Sequence, residues 1–125
     1  MIEGINHWPD YVRFRDQFEA AMDPRFYSIF WLDDQIRYNK FRLWASEDAA
    51  IIAEIKTYPT NAKEVHGVLA AGELAEIVKL IVKAEEWGVQ QGCISGSISS
   101  HPAWQRIMKS HGYEPSQLLI RKDLC

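Results

Sequence analysis

A carboxylate and an imidazole are what general acid–base chemistry needs, and this chain carries them on neighbouring β segments: Glu54 within Ala50 to Tyr58, and His66 within Lys63 to Ala70. Burial on a central strand would raise the Glu54 carboxyl toward neutrality, where a general base works well. His66 becomes its partner if the strand register sets the two opposite each other. Each has a plainer role, Glu54 as a solvated carboxylate alternating with Lys56 and His66 as a surface or packed histidine. A second polar group, Ser99-Ser100-His101, stands at the end of a weak strand, where open α/β sheets bind ligands. The same three residues are helix caps by type ahead of Pro102, and no acid is placed in the sequence to complete a Ser-His triad. Cys93 begins a strand and reads as a small buried hydrophobe rather than a nucleophile. Cys93 and Cys125 lack both a disulfide framework and metal-ligand spacing, so both are expected as reduced thiols and no metal is expected.

The elements that must position these residues follow from periodicity. Pro9 suits a first helical turn, and Tyr11, Phe14, Phe18, Ala21 and Met22 recur at helical spacing until Asp23-Pro24 interrupts. A second helix runs from about Ser28 to Asn39, with Ile29, Leu32 and Ile36 on one face. The period then changes to two: Phe41, Leu43 and Ala45 alternate with Arg42 and Trp44, and Ile51, Ala53 and Ile55 alternate with Ile52, Glu54 and Lys56. Lys63 to Ala70 makes a third strand, and the short turns among the three predict an antiparallel meander. Leu74, Ile77, Val78, Ile81 and Ala84 form the clearest apolar stripe in the chain, a long helix reaching past Trp87 to a stop at Gln91-Gly92. Cys93 to Ser99 is a weak strand, and a short helix follows, with Pro102 in its first turn and Trp104, Ile107 and Met108 facing inward. Glu114 to Lys122 is expected as a last strand. A parallel pairing across the long helix makes the sheet mixed, with helices on both faces.

Size and composition bound the rest. At 125 residues the chain is one domain, with residues 1–40 as a helical N-terminal part and residues 41–125 as the sheet with its long and short helices. Hydrophobic residues are 47% and charged residues 25%, an ordinary globular balance. The net charge of -3, from 14 basic and 17 acidic residues without a basic block, argues against a nucleic-acid partner. Neither a secretory start nor a bilayer-length apolar run is present, so a cytoplasmic protein without a membrane partner is expected. The aromatic run Phe26, Tyr27, Phe30, Trp31, Tyr38, Phe41 and Trp44 exceeds what a core of this size takes in, and its excess would dock a protein partner or a second copy.

Three strands, a long helix, a strand and a short helix ending in Gly112-Tyr113 resemble the layout of the GNAT acetyltransferase superfamily. The stretch from Phe41 to Leu124 is similar, more narrowly, to short GNAT-like proteins of phages and prophages. Leu43-Trp44, Ile55 with Tyr58-Pro59, Ala70-Ala71-Gly72 with Glu73-Leu74, Ala84-Glu85-Glu86-Trp87, Gly92-Cys93, Trp104 with Arg106, and Gly112-Tyr113 carry that likeness by order and spacing. The resemblance implies an α/β (α+β) GNAT-like fold with a mixed central sheet, and an acetyl-CoA cleft where the third and fourth strands splay apart. It further implies acyl transfer to an amine acceptor, with Leu69, Ala70, Ala71, Gly72, Glu73, Leu74 and His101 as the residues next to the cofactor; it does not carry the catalytic chemistry over, and Glu54 and His66 stand as catalytic candidates on their strand positions alone. Two departures stand beside it. The loop into the long helix has one glycine, no Arg or Lys, and an acidic Glu73 where family members hold a pyrophosphate at the helix N-terminus. Met108 occupies the position of the family's tyrosine acid, and His101 that of its asparagine. The second reading is therefore a non-catalytic GNAT-like accessory domain acting through protein–protein contacts.

Overall fold

The computed structural model describes residues 7–101 and 103–124. Helix α1 spans Trp8–Ala21 with Pro9 in its first turn, and its stripe of Tyr11, Phe14 and Phe18 is buried. Ala21, expected on that stripe, is exposed because the helix ends there. Helix α2 spans Ile29–Arg37. It begins where the Ser28 side chain accepts the backbone N–H of Trp31 at 3.1 Å, satisfying one of the free donors of the first turn.

Four strands follow in two groups: β1 (Arg42–Ala45), β2 (Ala49–Thr57) and β3 (Lys63–Gly72) before helix α3 (Leu74–Gln90), then β4 (Cys93–Ile98) and helix α4 (Ala103–Lys109). The sheet order is β1-β2-β3-β4. The first three strands form the expected antiparallel meander. β4 pairs parallel with β3 after the chain has crossed through α3, so the sheet is mixed.

The alternation of β2 separates two cores. Ala50 and Ile52 pack with Leu43 and Ala71 against the apolar faces of α1 and α2. Ala49 and Ile51 pack with Ile77, Leu80 and Ala84 of α3, so helices lie on both faces. Tyr11, Phe18, Leu32, Ile36 and Ile52 are the largest fully buried side chains, each stabilising the fold by about 2 kcal/mol. A polar pin joins α1 to α2. Asp33 accepts the Tyr11 hydroxyl at 2.6 Å and both Nε and Nη2 of Arg15, at 2.9 and 2.7 Å.

Two glycines allow close approach. Gly88 of α3 lies so near β3 that a Cβ there would come within 2.8 Å of Val65 Cγ1, which seats the helix directly on the strand. Gly72 takes φ +100° with the Asp48 carbonyl against it, a position closed to any side chain.

Glu114–Lys122 is not a strand. The segment runs without regular structure, and Leu118, Leu119 and Ile120 are each more than three-quarters exposed. A strand needs a ladder partner, and β4 pairs only with β3. Instead the Arg121 guanidinium lies over the Phe26 ring and Arg25 pairs with Asp123 at 2.8 Å, tying the segment to the loop between α1 and α2. The expectations placed on Pro102, on Cys125 and on the first six residues fall outside the described residues.

Candidate functional site

The site begins at an irregularity in β3. Ile52 of β2 pairs with Leu69, but Ala53 pairs with Gly67, leaving Val68 as an extra residue. On the other side of β3 the ladder to β4 runs only as far as Gly67 with Ile98, ending in a long Ser99 N–H to Gly67 carbonyl bond of 3.4 Å. Beyond Gly67 the two strands separate, and among the described residues Val68–Gly72 has no strand partner on that edge. A cavity of about 300 Å³ fills the gap, lined by Gly67, Val68 and Ala70 of β3, by Ile77 and Ile81 of α3, and by Trp104. Ser97, Ser99, Ser100 and His101 line it from the β4 side.

Ser97 and Ser99 of the cavity wall also belong to a polar relay that the strand pairing assembles. Glu64 lies beside Ser95 and His66 beside Ser97 in the parallel register. Ser95 and Ser97 donate to the two carboxylate oxygens of Glu64 at 3.0 and 2.9 Å, and the Tyr58 hydroxyl adds a third donor at 2.6 Å. These donors, Tyr58 foremost, hold the Glu64 carboxyl below the usual range. His66 Nδ1 stands 2.7 Å from Ser97 Oγ, and Nε2 stands 3.1 Å from Ser99 Oγ. His66 is buried; that burial, with the Lys56 charge, lowers its pKa, so the ring is neutral near pH 7.

Donor counting then fixes the tautomer. Ser97 has one hydroxyl hydrogen and gives it to ionised Glu64, which can only accept. Nδ1 must therefore donate to Ser97 Oγ. In the neutral ring that leaves Nε2 bare, facing the hydroxyl of Ser99.

Glu54 sits directly opposite His66 in the antiparallel register, so both side chains leave the same face of the sheet. It is half-buried and makes no side-chain hydrogen bond among the described residues. His101 caps α4, its Nδ1 accepting the Ala103 N–H at 3.1 Å, and it is also at the cavity wall. Cys93 is half-buried at the start of β4, with its thiol pushed up by burial. Tyr113 packs half-buried with its hydroxyl donated to Glu85 at 2.6 Å, and burial drives its pKa far above the ordinary range.

The residues expected beside the cofactor divide into two sets. Leu69, Ala70 and His101 line the cavity. Ala71, Gly72, Glu73 and Leu74 are not part of its wall. Ala71 packs in the apolar core under α1 and α2. Gly72 is pressed on Asp48, and the Glu73 N–H is spent on the Asp48 carbonyl at 3.0 Å. Glu73 and Leu74 are exposed at the start of α3. The loop into α3 carries no Arg or Lys, and its first N–H is already bonded to Asp48.

Glu64, Ser95, Ser97 and the reach of Ser99 to His66 escape a linear reading. Glu64 and Ser95 lie 31 residues apart and meet only through the parallel register. Among the described residues no group of His, Cys, Asp and Glu is placed to hold a metal, and no helix is long and apolar enough to cross a membrane.

No family model and no curated protein matches the sequence. Solved structures do match the fold. A GCN5-related N-acetyltransferase from Ralstonia eutropha superposes with a TM-score of 0.72 at 14% identity, covering 91% of this chain and 93% of that one. An acetyltransferase of Trypanosoma brucei gives 0.67 at 13% identity over 93% and 94%. A predicted acetyltransferase of Clostridium acetobutylicum, solved with acetyl-CoA, gives 0.67 at 9% identity over 96% and 92%. The chain therefore has the GNAT acetyltransferase fold.

Proposed function

We propose that the protein transfers an acetyl group from acetyl-CoA to an amine, with His66 as the base and Glu54 drawing the amine's positive charge to the place opposite it. The observation that carries this is the cavity between the separated ends of β3 and β4, whose wall includes Ser97 and Ser99, the two hydroxyls that flank the buried, neutral ring of His66. Acetyl-CoA, when bound, supplies the activated acyl carbonyl. The unpaired backbone edge of Val68–Ala71 would hold the extended arm as a strand holds its neighbour. Nε2 takes the proton of the attacking amine, and Ser97 with Glu64 keeps the ring in the tautomer that does so. A fold neighbour solved with acetyl-CoA supports this choice of donor. The finer likeness to short phage and prophage proteins rests on the motifs between Phe41 and Leu124, and a cytoplasmic setting goes with this reading.

A second reading has its own observation. Phe26, Tyr27, Phe30 and Tyr38 are all at least half exposed on or beside α2, which suits a non-catalytic domain docking a protein partner or a second copy. Calorimetric titration with acetyl-CoA, on protein freed of carried-over cofactor, separates the two. Saturable binding that weakens when β3 is altered at Gly67→Val upholds the transferase. Absence of binding at millimolar cofactor would refute it and leave the docking surface.

A further inference from the structure

We infer that Ser99 is an acyl-accepting nucleophile, so that acyl groups pass through a covalent ester on this chain before reaching their acceptor. The inference rests on the acyl-transfer reading of the same cavity and adds a step to it. Three observations point to Ser99 together. Its Oγ is 3.1 Å from His66 Nε2, which the Ser97–Glu64 pair leaves unprotonated. It lines the cavity in which an acyl carbonyl would rest. Its own N–H is bonded to the Gly67 carbonyl, the last link between β3 and β4, which holds the side chain at the point where the strands part. A hydroxyl bonded to a base, with the base turned by a third and fourth group, is the arrangement that activates serine nucleophiles. Here the carboxylate acts through the intervening Ser97 hydroxyl rather than touching the ring. Glu64 and Ser97 are positioning residues in this scheme, and Ser99 and His66 are catalytic.

The steps balance without any further reagent. Ser99 Oγ bonds to the acyl carbon as its proton moves to His66 Nε2. The bond from the acyl carbon to its leaving sulfur or oxygen breaks, and the leaving group takes that proton. An amine or water then attacks the ester, gives its proton to Nε2, and Ser99 Oγ leaves with it. With water the net reaction is hydrolysis of an activated acyl compound. With an amine it is double-displacement transfer.

p-Nitrophenyl acetate is a suitable probe, since it has no nucleotide and its chemistry is independent of cofactor affinity. The full chain should release nitrophenol at least tenfold faster than Ser99→Ala and His66→Gln, with all three matched for folding by urea titration. Acid-quenched protein should carry one acetyl group on the peptide containing Ser99, removable by hydroxylamine as an ester is. Glu64→Gln should retain the ester but form it more slowly, with the pH dependence of its formation shifted, because the ring loses its fixed tautomer. Equal release by the full chain and Ser99→Ala would overturn the inference, as would an acetyl group trapped only on lysine. Acetyl-CoA binding without Ser99 acylation leaves direct amine attack standing, whereas Ser99 acylation without acetyl-CoA binding removes the donor but keeps the nucleophile.

Discussion

One face of the sheet is divided between two kinds of surface. At the end of β2 and β3 where Ala50 pairs with Ala71, the side chains of Leu43, Ala50, Ile52 and Ala71 are buried under α1 and α2. Toward the other end of these strands the same face carries Glu54, His66, Glu64, Ser95 and Ser97, a row of polar groups that would each be costly to bury unpaired. The first half holds the fold through area removed from water, and its one polar cluster is a pin fully satisfied between Tyr11, Asp33 and Arg15. The second half keeps a histidine buried by satisfying both of its ring nitrogens. Apolar packing and the polar relay are thus separated along β2 and β3, and under the proposed function substitutions in the two halves should fail in different ways.

The largest effect is expected on the apolar half. Phe18 is fully buried against Tyr11 and Phe14, and Phe18→Ala should cost about 4 kcal/mol, seen as a lower urea midpoint. His66→Gln breaks the comparison from the other side. Glutamine can still bond Ser97 and Ser99, so the urea midpoint should move little, while acyl transfer should fall about a hundredfold or more. A His66→Gln protein that unfolds early but keeps its rate would return the polar half to a structural role. In the unsubstituted protein the rate should hold to lower pH than free imidazole allows, because burial and Lys56 lower the His66 pKa and only the neutral ring accepts a proton.

Asp33→Asn tests the pin. It keeps an acceptor for Tyr11 but removes the charge that pairs with Arg15, at a cost of about 2 kcal/mol near pH 7. The Asp33 carboxyl is held below the usual range, chiefly by Arg15, so its contribution is fully present above the ordinary aspartate range and is lost as pH falls through the lowered value. The difference in urea midpoint between the two proteins should therefore shrink only in acid. A gap that persists unchanged at low pH would show that packing, not charge, joins α1 to α2.

These contrasts also explain what could be read from the residues in order. The stripes of α1 and α3 and the alternation of β2 are local periodicities, and their middles emerge as buried faces, Tyr11, Phe14 and Phe18 on α1 and Ile77 and Ala84 on α3, while Ala21 and Leu74 at the helix ends are exposed. The Glu54–His66 juxtaposition was within reach, because a short turn joins β2 to β3 and restricts their register. The relay was not, since no local pattern sets the parallel register of β4 after seventeen residues of helix. Leu118, Leu119 and Ile120 have the composition of a strand, but composition does not supply a ladder partner, and the segment turns toward Phe26 instead.

The smallest expected effect concerns the loop that joins the two halves to α3. Glu73 precedes the first turn of α3 with no side-chain bond of its own, so its charge favours the helix only through the dipole. Glu73→Lys reverses that charge at the exposed entrance to the helix. It should cost the fold less than about 1 kcal/mol, yet it should tighten acetyl-CoA by a few-fold at low salt, with the gain fading as salt rises. The increment is small because Gly72 and the Glu73 N–H are already committed to Asp48 and cannot turn toward a phosphate. If titration instead shows no change in affinity while the acyl arm still binds, the nucleotide end lies away from α3. The donor would then be recognised by its acyl arm in the cleft alone.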